Sequence, residues 1–280
     1  MPGRRAVGGC LQVRAAVLGC PISHSLSPVL HNAGYAALGL DWSYGAFEVD
    51  KPDLASFVDS CGPEWAGLSL TMPLKEVALP VATEVSELAQ LLGAANTLVL
   101  RDGRRYADNT DAPGMVSALQ DVDCFQVRDV AILGAGGTAK AALSAAYVLG
   151  ARVTVFARRE QAAVDSLLPL ASRMGVPMVT GSWEEVREAA SADVIISTVP
   201  KGTAGLDNFQ LRPETVVFDV LYDPWPTPLA ASALRAGCQV VSGLDLLAAQ
   251  AYGQFQLFTG LPAPREQMRT ALDAAVLARG

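Results

Sequence analysis

Short apolar runs alternate with helical stretches through the first third of the chain. Apolar runs such as RAAVLG and AGLSL are separated by segments with helical spacing, such as SPVLHNAGYAALG and VSELAQLLG. NTLVLRDGRRYADNTD then predicts two strands joined by a tight turn at Asp102 and Gly103. This pattern predicts a first α/β unit that ends in a hairpin.

A second series begins with DVAILGAGGTAKAALSAAYVLGARVTVFARR, which predicts strand, glycine turn, helix and strand. The later runs VPMVT, DVIIST, TVVFDV and CQVVS are mostly unalternating and β-branched, as expected of parallel strands covered on both faces. After position 242 the pattern is helical to the end. We therefore predict an α/β protein with an N-terminal α/β domain (1–111), a Rossmann-type domain with a doubly wound parallel sheet (112–243), and C-terminal helices (244–280) that pack back on the first domain.

Composition narrows the class of protein. The 280 residues are 51% hydrophobic, enough for a sizeable core, yet no apolar run approaches the length that spans a bilayer. A net charge of −7 argues against a nucleic-acid-binding surface. The five cysteines are scattered without a Cys-x-x-Cys pair, so we expect reduced thiols and no zinc site. The start, MPGRRAVGGC, lacks a long apolar segment and predicts a frayed N-terminus and a cytoplasmic protein.

A nucleotide site is predicted where the second series begins. The glycine motif comprises Gly134, Ala135, Gly136, Gly137, Thr138 and Ala139. Gly134 permits a tight turn, Gly136 lets the backbone approach a pyrophosphate, and Ala139 allows close packing of the helix, whose N-terminus attracts anions. We expect a dinucleotide here. The alternative is a glycine turn that only joins strand to helix.

The end of the next predicted strand favours NADP over NAD. An NAD site usually carries an acidic residue there to bind the ribose 2′-hydroxyl, but the chain has Ala157 followed by Arg158 and Arg159. Arginine binds a 2′-phosphate through paired hydrogen bonds. The alternative is that both arginines are merely solvated surface charge.

Lys75 and Asp111 are candidates for acid–base chemistry. Only four of the 21 basic residues are lysines, and Lys75 follows the apolar stretch GLSLTMPL. Reduction of a carbonyl by hydride needs a proton donor, and lysine, unlike arginine, can give up its proton. Asp111 in ADNTDAPG could orient it. The alternatives are a solvent-facing Lys75 at the start of a helix over LKEVALPVAT, and Asp111 as a helix N-cap.

Seven motifs together resemble the shikimate dehydrogenases in order and spacing: VLGCPISHSLSPVLHNAGY, GLSLTMPLKE, GAANTL, ADNTDAPG, GAGGTA, YDPWPTPL and GLDLLAAQA. The resemblance implies reversible NADPH-dependent reduction of 3-dehydroshikimate to shikimate, in the pathway to chorismate and the aromatic amino acids. It implies that residues 1–111 bind this small-molecule substrate and that the reaction occurs in a cleft between two domains. Whether the protein is a homodimer stays open.

The resemblance also assigns site residues. It makes Lys75 and Asp111 the catalytic pair and adds Val220 and Gly243 to the cofactor site. The residues that it implies for substrate binding are Ser25, Ser27, Thr71, Asn96, Tyr222 and Gln250. Two of these also suit a purely local role: Ser27 before Pro28 is a good helix N-cap, and Asn96 could be an ordinary turn residue.

Two positions and one segment depart from the family pattern. Ala157 replaces the usual asparagine, ISTVPKGTAG replaces a more polar segment, and Ser69 replaces a common asparagine. His24 and His31 lack clustered carboxylates or thiols, so a metal site is not expected. Two rival functions share the motifs: an NAD-dependent quinate/shikimate dehydrogenase, and a non-catalytic ligand sensor on the same fold.

Overall fold

The computed structural model describes residues 12–124 and 126–279. The strands in these ranges are β1 (Val13–Gly19), β2 (Trp42–Glu48), β3 (Trp65–Leu70), β4 (Glu84–Val85), β5 (Thr97–Arg101), β6 (Arg104–Asp108), β7 (Asp129–Leu133), β8 (Arg152–Ala157), β9 (Met178–Ser182), β10 (Val194–Ser197), β11 (Val216–Asp219) and β12 (Gln239–Val241). The α-helices are α1 (Ser27–Ala37), α2 (Leu54–Asp59), α3 (Glu87–Leu92), α4 (Asp111–Gln120), α5 (Gly137–Val148), α6 (Glu160–Met174), α7 (Pro228–Ala236), α8 (Gly243–Thr259) and α9 (Arg265–Leu277). Single 3-10 segments cover Lys51–Asp53, Leu79–Val81 and Trp183–Ser191.

The first sheet has six strands in the order β2-β1-β3-β5-β6-β4. β1 pairs in parallel with β2 and β3, whereas β5 is antiparallel to both β3 and β6. The β5–β6 hairpin turns at Asp102 and Gly103, whose φ angles of 52° and 74° fit the tight turn that the sequence predicts. Since β1 and β3 are parallel, the loops that leave their carboxyl ends meet at one edge of the sheet.

The second sheet also has six strands, in the order β12-β11-β10-β7-β8-β9, and every pair in it is parallel. This is the strand order of a doubly wound Rossmann sheet, read from its far edge. The chain leaves β7 toward β8 on one side and returns to β10 on the other, so a crevice lies at the carboxyl end of β7. The glycine motif lies at that crevice, and the predicted fold class is confirmed.

The C-terminal helices pack against the first sheet, as the sequence predicts. Phe255 and Phe258 of α8 and Met268 and Leu272 of α9 join one buried cluster with residues of β1 and α1. Gly67 in β3 has no side chain because the Phe258 ring lies over it: a Cβ there would lie 2.2 Å from ring carbons. Helix α8 therefore closes the face of a sheet formed by the opposite end of the chain.

The helix considered for LKEVALPVAT does not form. The segment after Thr71 consists of turns, followed by the short 3-10 segment Leu79–Val81. Pro80 removes a backbone donor, and Pro73 precedes the turns, so the local sequence does not support a regular helix here. Lys75 therefore lies in a loop and is not the solvent-facing first residue of a helix.

Other expectations concern the start of the chain and the thiols. The predicted frayed N-terminus falls within residues 1–11, outside the described residues, and so does Cys10. Cys20, Cys61, Cys124 and Cys238 are free thiols. Across the described ranges, no helix combines the length and apolarity needed to cross a membrane.

We predict that Phe258→Ala lowers the free energy of unfolding by about 3–5 kcal/mol, because it removes a buried ring from the contact between α8 and β3. Phe258 is 2% exposed. Leu277→Ala is the matched control on α9, where the side chain is 82% exposed, and it should change stability by less than about 0.5 kcal/mol. Urea denaturation measures both, and equal effects would contradict this packing.

Candidate active site

A cavity of about 280 Å³ lies between the carboxyl end of the first sheet, helix α8 and the loop after β11. Its walls bring together positions separated by more than 200 residues in sequence. All eight residues predicted for catalysis and substrate binding line it: Ser25, Ser27, Thr71, Lys75, Asn96, Asp111, Tyr222 and Gln250. The cavity is therefore the candidate active site.

Lys75 and Asp111 form a direct ion pair at this cavity. Lys75 Nζ donates to Asp111 Oδ2 at 2.7 Å, and the two side chains are 25% and 10% exposed. The Lys75 carbonyl accepts from the Ala95 N–H at 2.8 Å, which ties the lysine loop to the strand entering β5. One of the three ammonium protons is used by Asp111, so the others are available to a ligand.

The second carboxylate oxygen of Asp111 is also occupied. Asn96 Nδ2 donates to Oδ1 at 2.9 Å. The first amides of α4 are capped by Asn109, whose Oδ1 accepts from the N–H groups of Asp111 and Ala112. Thr110 is the residue at the N-cap position. Asp111 is therefore not the N-cap, and its carboxylate is free to hold Lys75.

Ser27 does not cap helix α1. The residue at the N-cap of α1 is Leu26, and no side-chain hydrogen bond caps this helix. Ser25 Oγ instead accepts from the Ser27 N–H at 3.3 Å, so the loop brings two hydroxyl groups to the cavity wall. Hydroxyls can donate to a carboxylate without adding a charge to the site.

Asn96 is not an ordinary turn residue either. It is 2% exposed, and its Oδ1 accepts from the Thr97 hydroxyl and the Thr110 N–H, both at 2.8 Å. Its Nδ2 also lies 3.4 Å from Gln250 Oε1, while Gln250 Nε2 donates to the Leu247 carbonyl at 2.8 Å. The amides of Asn96 and Gln250 are thereby held in fixed orientations at the cavity.

The loop after β11 is held by a buried carboxylate. Asp219 accepts from the Thr227 hydroxyl at 2.6 Å and from the Leu221 N–H at 3.2 Å, and burial raises its pKa. These bonds position the segment that carries Val220 and Tyr222. Burial also raises the pKa of Tyr222, so its hydroxyl keeps its proton and can donate to a ligand.

The glycine motif has room for a pyrophosphate. Gly134 has φ +108°, and a Cβ there would lie 2.6 Å from Thr198 Oγ1. A Cβ at Gly136 or Gly137 would meet nothing within 4 Å, so open space faces the first turn of α5. That turn carries no acidic residue and no side-chain cap, which leaves its N–H groups available to an anion. The residues present fit a dinucleotide.

The remaining cofactor candidates surround the same crevice. Ala135 and Thr138 are partly buried in the motif, and Ala139 is fully buried against the sheet. Ala157 ends β8 in the core, and both arginines that follow it, Arg158 and Arg159, are exposed. Val220 and Gly243 touch, since a Cβ on the glycine would lie 2.2 Å from the Val220 carbonyl oxygen. Gly243 also lines the 280 Å³ cavity, which links the two candidate sites.

Sequence reasoning missed two polar residues that line this cavity and one that contacts the lysine loop. Gln254 lies one helical turn after Gln250 on α8 and lines the cavity, a spacing that was visible in the sequence. Ser69 was noted only as a departure from the family pattern, and it also lines the cavity. Lys140 on α5 reaches Glu76, the neighbour of Lys75, at 3.4 Å, a contact between distant positions that no local pattern signals.

The two histidines have different surroundings. His24 is exposed at the cavity mouth, whereas His31 is fully buried beneath it, stacked on the Tyr44 ring at 4.1 Å. Burial lowers the pKa of His31 to about 3. Within residues 12–124 and 126–279, no group of three or more His, Cys, Asp or Glu side chains could hold a metal ion.

We predict that His31 stays neutral in the folded protein down to about pH 4, so that its NMR resonances do not titrate near 6.5. Because the unfolded chain takes up this proton near pH 6.5 and the folded chain only near 3, folding stability falls as the pH drops through this window, by up to about 1.4 kcal/mol per pH unit. His31→Leu should make this fall shallower. A midpoint near 6.5 in the folded protein would refute the prediction.

Comparison with known proteins identifies the family of this chain. The family model described as shikimate dehydrogenase substrate binding domain matches residues 17–98, and the one described as shikimate 5'-dehydrogenase C-terminal domain matches residues 243–272. The shikimate dehydrogenase (NADP(+)) of Oleidesulfovibrio alaskensis is 40% identical over 94% of this chain and 95% of its own length.

Solved structures give the same result. The Mycobacterium tuberculosis shikimate dehydrogenase has a TM-score of 0.86 and 43% identity, covering 94% of this chain and 99% of that one. The Thermus thermophilus shikimate 5-dehydrogenase in complex with NADP(H) and shikimate has a TM-score of 0.81 and 33% identity, covering 94% and 99%. With such identity along almost its whole length, the chain belongs to the shikimate dehydrogenase family.

Proposed function

We propose that this protein catalyses the reversible NADPH-dependent reduction of 3-dehydroshikimate to shikimate, with Lys75 and Asp111 as its catalytic pair. The observation that carries the proposal is the 2.7 Å ion pair between these residues, which opens into a cavity lined by neutral hydrogen-bonding side chains. A ketone that becomes an alcohol needs both a hydride and a proton. The chemistry that NADPH supplies when bound is the hydride.

Lys75 supplies the proton. As negative charge develops on the substrate oxygen, the ammonium group donates one of the protons that Asp111 does not use, and it takes the proton back in the reverse direction. Asp111 fixes the direction of the ammonium group and remains acceptor to Asn96. Since Lys75 is 25% exposed, the proton that it gives up can be replaced from solvent.

The substrate is oriented by neutral groups around the pair. Ser25 and Ser27 are proposed to donate to its carboxylate, and Thr71, Asn96, Tyr222 and Gln250 to bind its ring hydroxyls and carbonyl. A cavity of about 280 Å³ suits a small cyclic acid. Because Ser27, Asn96 and Gln250 are buried, an analogue that leaves one of them unpaired is rejected.

Residues of the second sheet are proposed to hold the dinucleotide. Gly134, Gly136 and the first turn of α5 bind the pyrophosphate, while Val220 and Gly243 border the path to the substrate cavity. Arg158 and Arg159 bind the 2′-phosphate, where an NAD-binding protein would carry an acidic residue. This arrangement favours NADP.

Two other functions share much of this geometry. A quinate/shikimate dehydrogenase that prefers NAD would use the same catalytic pair, and steady-state rates with shikimate and quinate, each with NADP and NAD, separate the two enzymes. A non-catalytic sensor on the same fold has no need of a lysine held by a carboxylate at the ligand cavity. Shikimate oxidation with NADP is therefore the first assay.

The proposal also covers the domain organisation, the cellular location and the oligomeric state of the protein. We assign substrate binding to residues 1–111, dinucleotide binding to residues 112–243 and completion of the substrate domain to residues 244–280. A cytoplasmic location suits an enzyme that feeds aromatic amino acid synthesis, and cell fractionation tests it. Analytical ultracentrifugation decides between a monomer and a homodimer.

We predict that Lys75→Ala lowers kcat by at least about a hundredfold, the lower range for loss of a general acid, with a much smaller change in shikimate affinity. Lys75→Arg should be nearly as slow, because arginine keeps the charge but holds its proton. Lys51→Ala is the control, since Lys51 is exposed outside the cavity and its loss should leave kcat unchanged. Near-normal turnover of either Lys75 variant would exclude the proposed proton transfer.

We predict that Arg158→Ala and Arg159→Ala each raise KM for NADP by about tenfold, the loss of one charge-assisted hydrogen bond, while KM for NAD stays within about twofold. Arg173→Ala, at the far end of α6 and also exposed, controls for the general loss of a positive charge. Equal shifts for both cofactors would remove the arginines from the 2′-phosphate site.

A further inference from the structure

The floor of the substrate cavity contains a buried chain of hydroxyl and amide groups. Ser69, at the penultimate position of β3, is 4% exposed and lines the cavity. Its Oγ lies 2.5 Å from the Tyr44 hydroxyl and 2.7 Å from Gln254 Oε1. The oxygen atoms of Tyr44, Ser69 and Gln254 therefore share the two hydroxyl protons of Tyr44 and Ser69. The neighbours of Gln254 determine which oxygen donates to which.

The amide of Gln254 has one allowed orientation. On its other side it faces the main-chain carbonyl oxygen of Asn96 at 3.0 Å and Thr97 Oγ1 at 3.1 Å. A carbonyl oxygen only accepts hydrogen bonds, so the NH₂ group must point toward Asn96. Gln254 Oε1 then points toward Ser69 and requires a donor there.

Ser69 satisfies that requirement with its single proton. A serine hydroxyl has one donor and two acceptor lone pairs. Because the proton goes to Gln254, the Tyr44 hydroxyl must be the donor in its bond to Ser69, and burial raises the pKa of Tyr44, which keeps that proton in place. One lone pair of Ser69 remains, and no proton is left to donate.

We propose that Ser69 is a specificity-determining residue that acts toward the cavity only as a hydrogen-bond acceptor, and that it selects for a ring hydroxyl that the reaction does not oxidise. This inference rests on the proposed function. On shikimate, the hydroxyls that remain unchanged are those at C4 and C5. One of them donates to Ser69, and an analogue without a proton at that position loses the bond.

Fluorine substitution tests the acceptor role directly, because fluorine keeps the polarity of the position but cannot donate. We would measure kcat/KM for shikimate, 4-deoxy-4-fluoroshikimate and 5-deoxy-5-fluoroshikimate with the wild type and Ser69→Ala. For each substrate we divide kcat/KM of the wild type by kcat/KM of Ser69→Ala, so that the electronic effect of fluorine on the reaction cancels. We expect a ratio of about ten for shikimate and for the analogue that keeps the hydroxyl facing Ser69. For the analogue with fluorine at that position we expect a ratio within about twofold of one, because there is no hydrogen bond left to lose.

Two results would overturn the proposal: the same ratio for all three substrates, which indicates a structural role alone, or a ratio of one for shikimate. Tyr44→Phe is the matched control, since Tyr44 contacts Ser69 and does not line the cavity, and it should change all three rates by one common factor. If Ser69→Ala does not fold, Ser69→Cys gives the same comparison with a weakly accepting thiol. Inactivity of the wild type with shikimate and NADP would instead refute the proposed function.

Discussion

The site depends on the two hydrogen bonds that the carboxylate of Asp111 accepts. One oxygen holds the Lys75 ammonium at 2.7 Å, and the other accepts from Asn96 at 2.9 Å. Both partners come from loops at the carboxyl edge of the first sheet, while Asp111 begins the helix that leads toward the second sheet. The carboxylate therefore joins the part of the chain that surrounds the cavity to the part that carries the glycine motif.

The orientation of Asn96 follows from contacts further away. Gln254 donates to Thr97, Thr97 donates to Asn96 Oδ1, and the amide nitrogen of Asn96 is left to face Asp111. Each group in this series has only one way to satisfy its neighbours, because buried donors and acceptors without partners are costly. A network with one allowed arrangement holds the cavity wall ready for a ligand without rearrangement.

Local patterns in the sequence account for most of the fold. The glycine motif between an apolar run and an alanine-rich helix predicts one βαβ unit, and the unalternating runs after it predict a parallel sheet. Asp102-Gly103 predicts the hairpin turn, because the backbone angles that a tight turn requires depend only on the residues in the turn. The resemblance to a known family then places candidate residues, all of which lie at the cavity or the crevice.

What local patterns could not predict depends on residues far apart in the chain. The Lys75 carbonyl accepts from the Ala95 N–H, and this contact ties the lysine loop to the strand β5 side of the cavity. The bond between Ser69 and Gln254 spans 185 positions. Helix α8 supplies Gln250 and Gln254 and packs Phe258 over Gly67, so a helix that follows both sheets in the sequence completes one wall of the cavity. A chain folded without α8 would keep the lysine and the aspartate but lack the wall that encloses a ligand beside them.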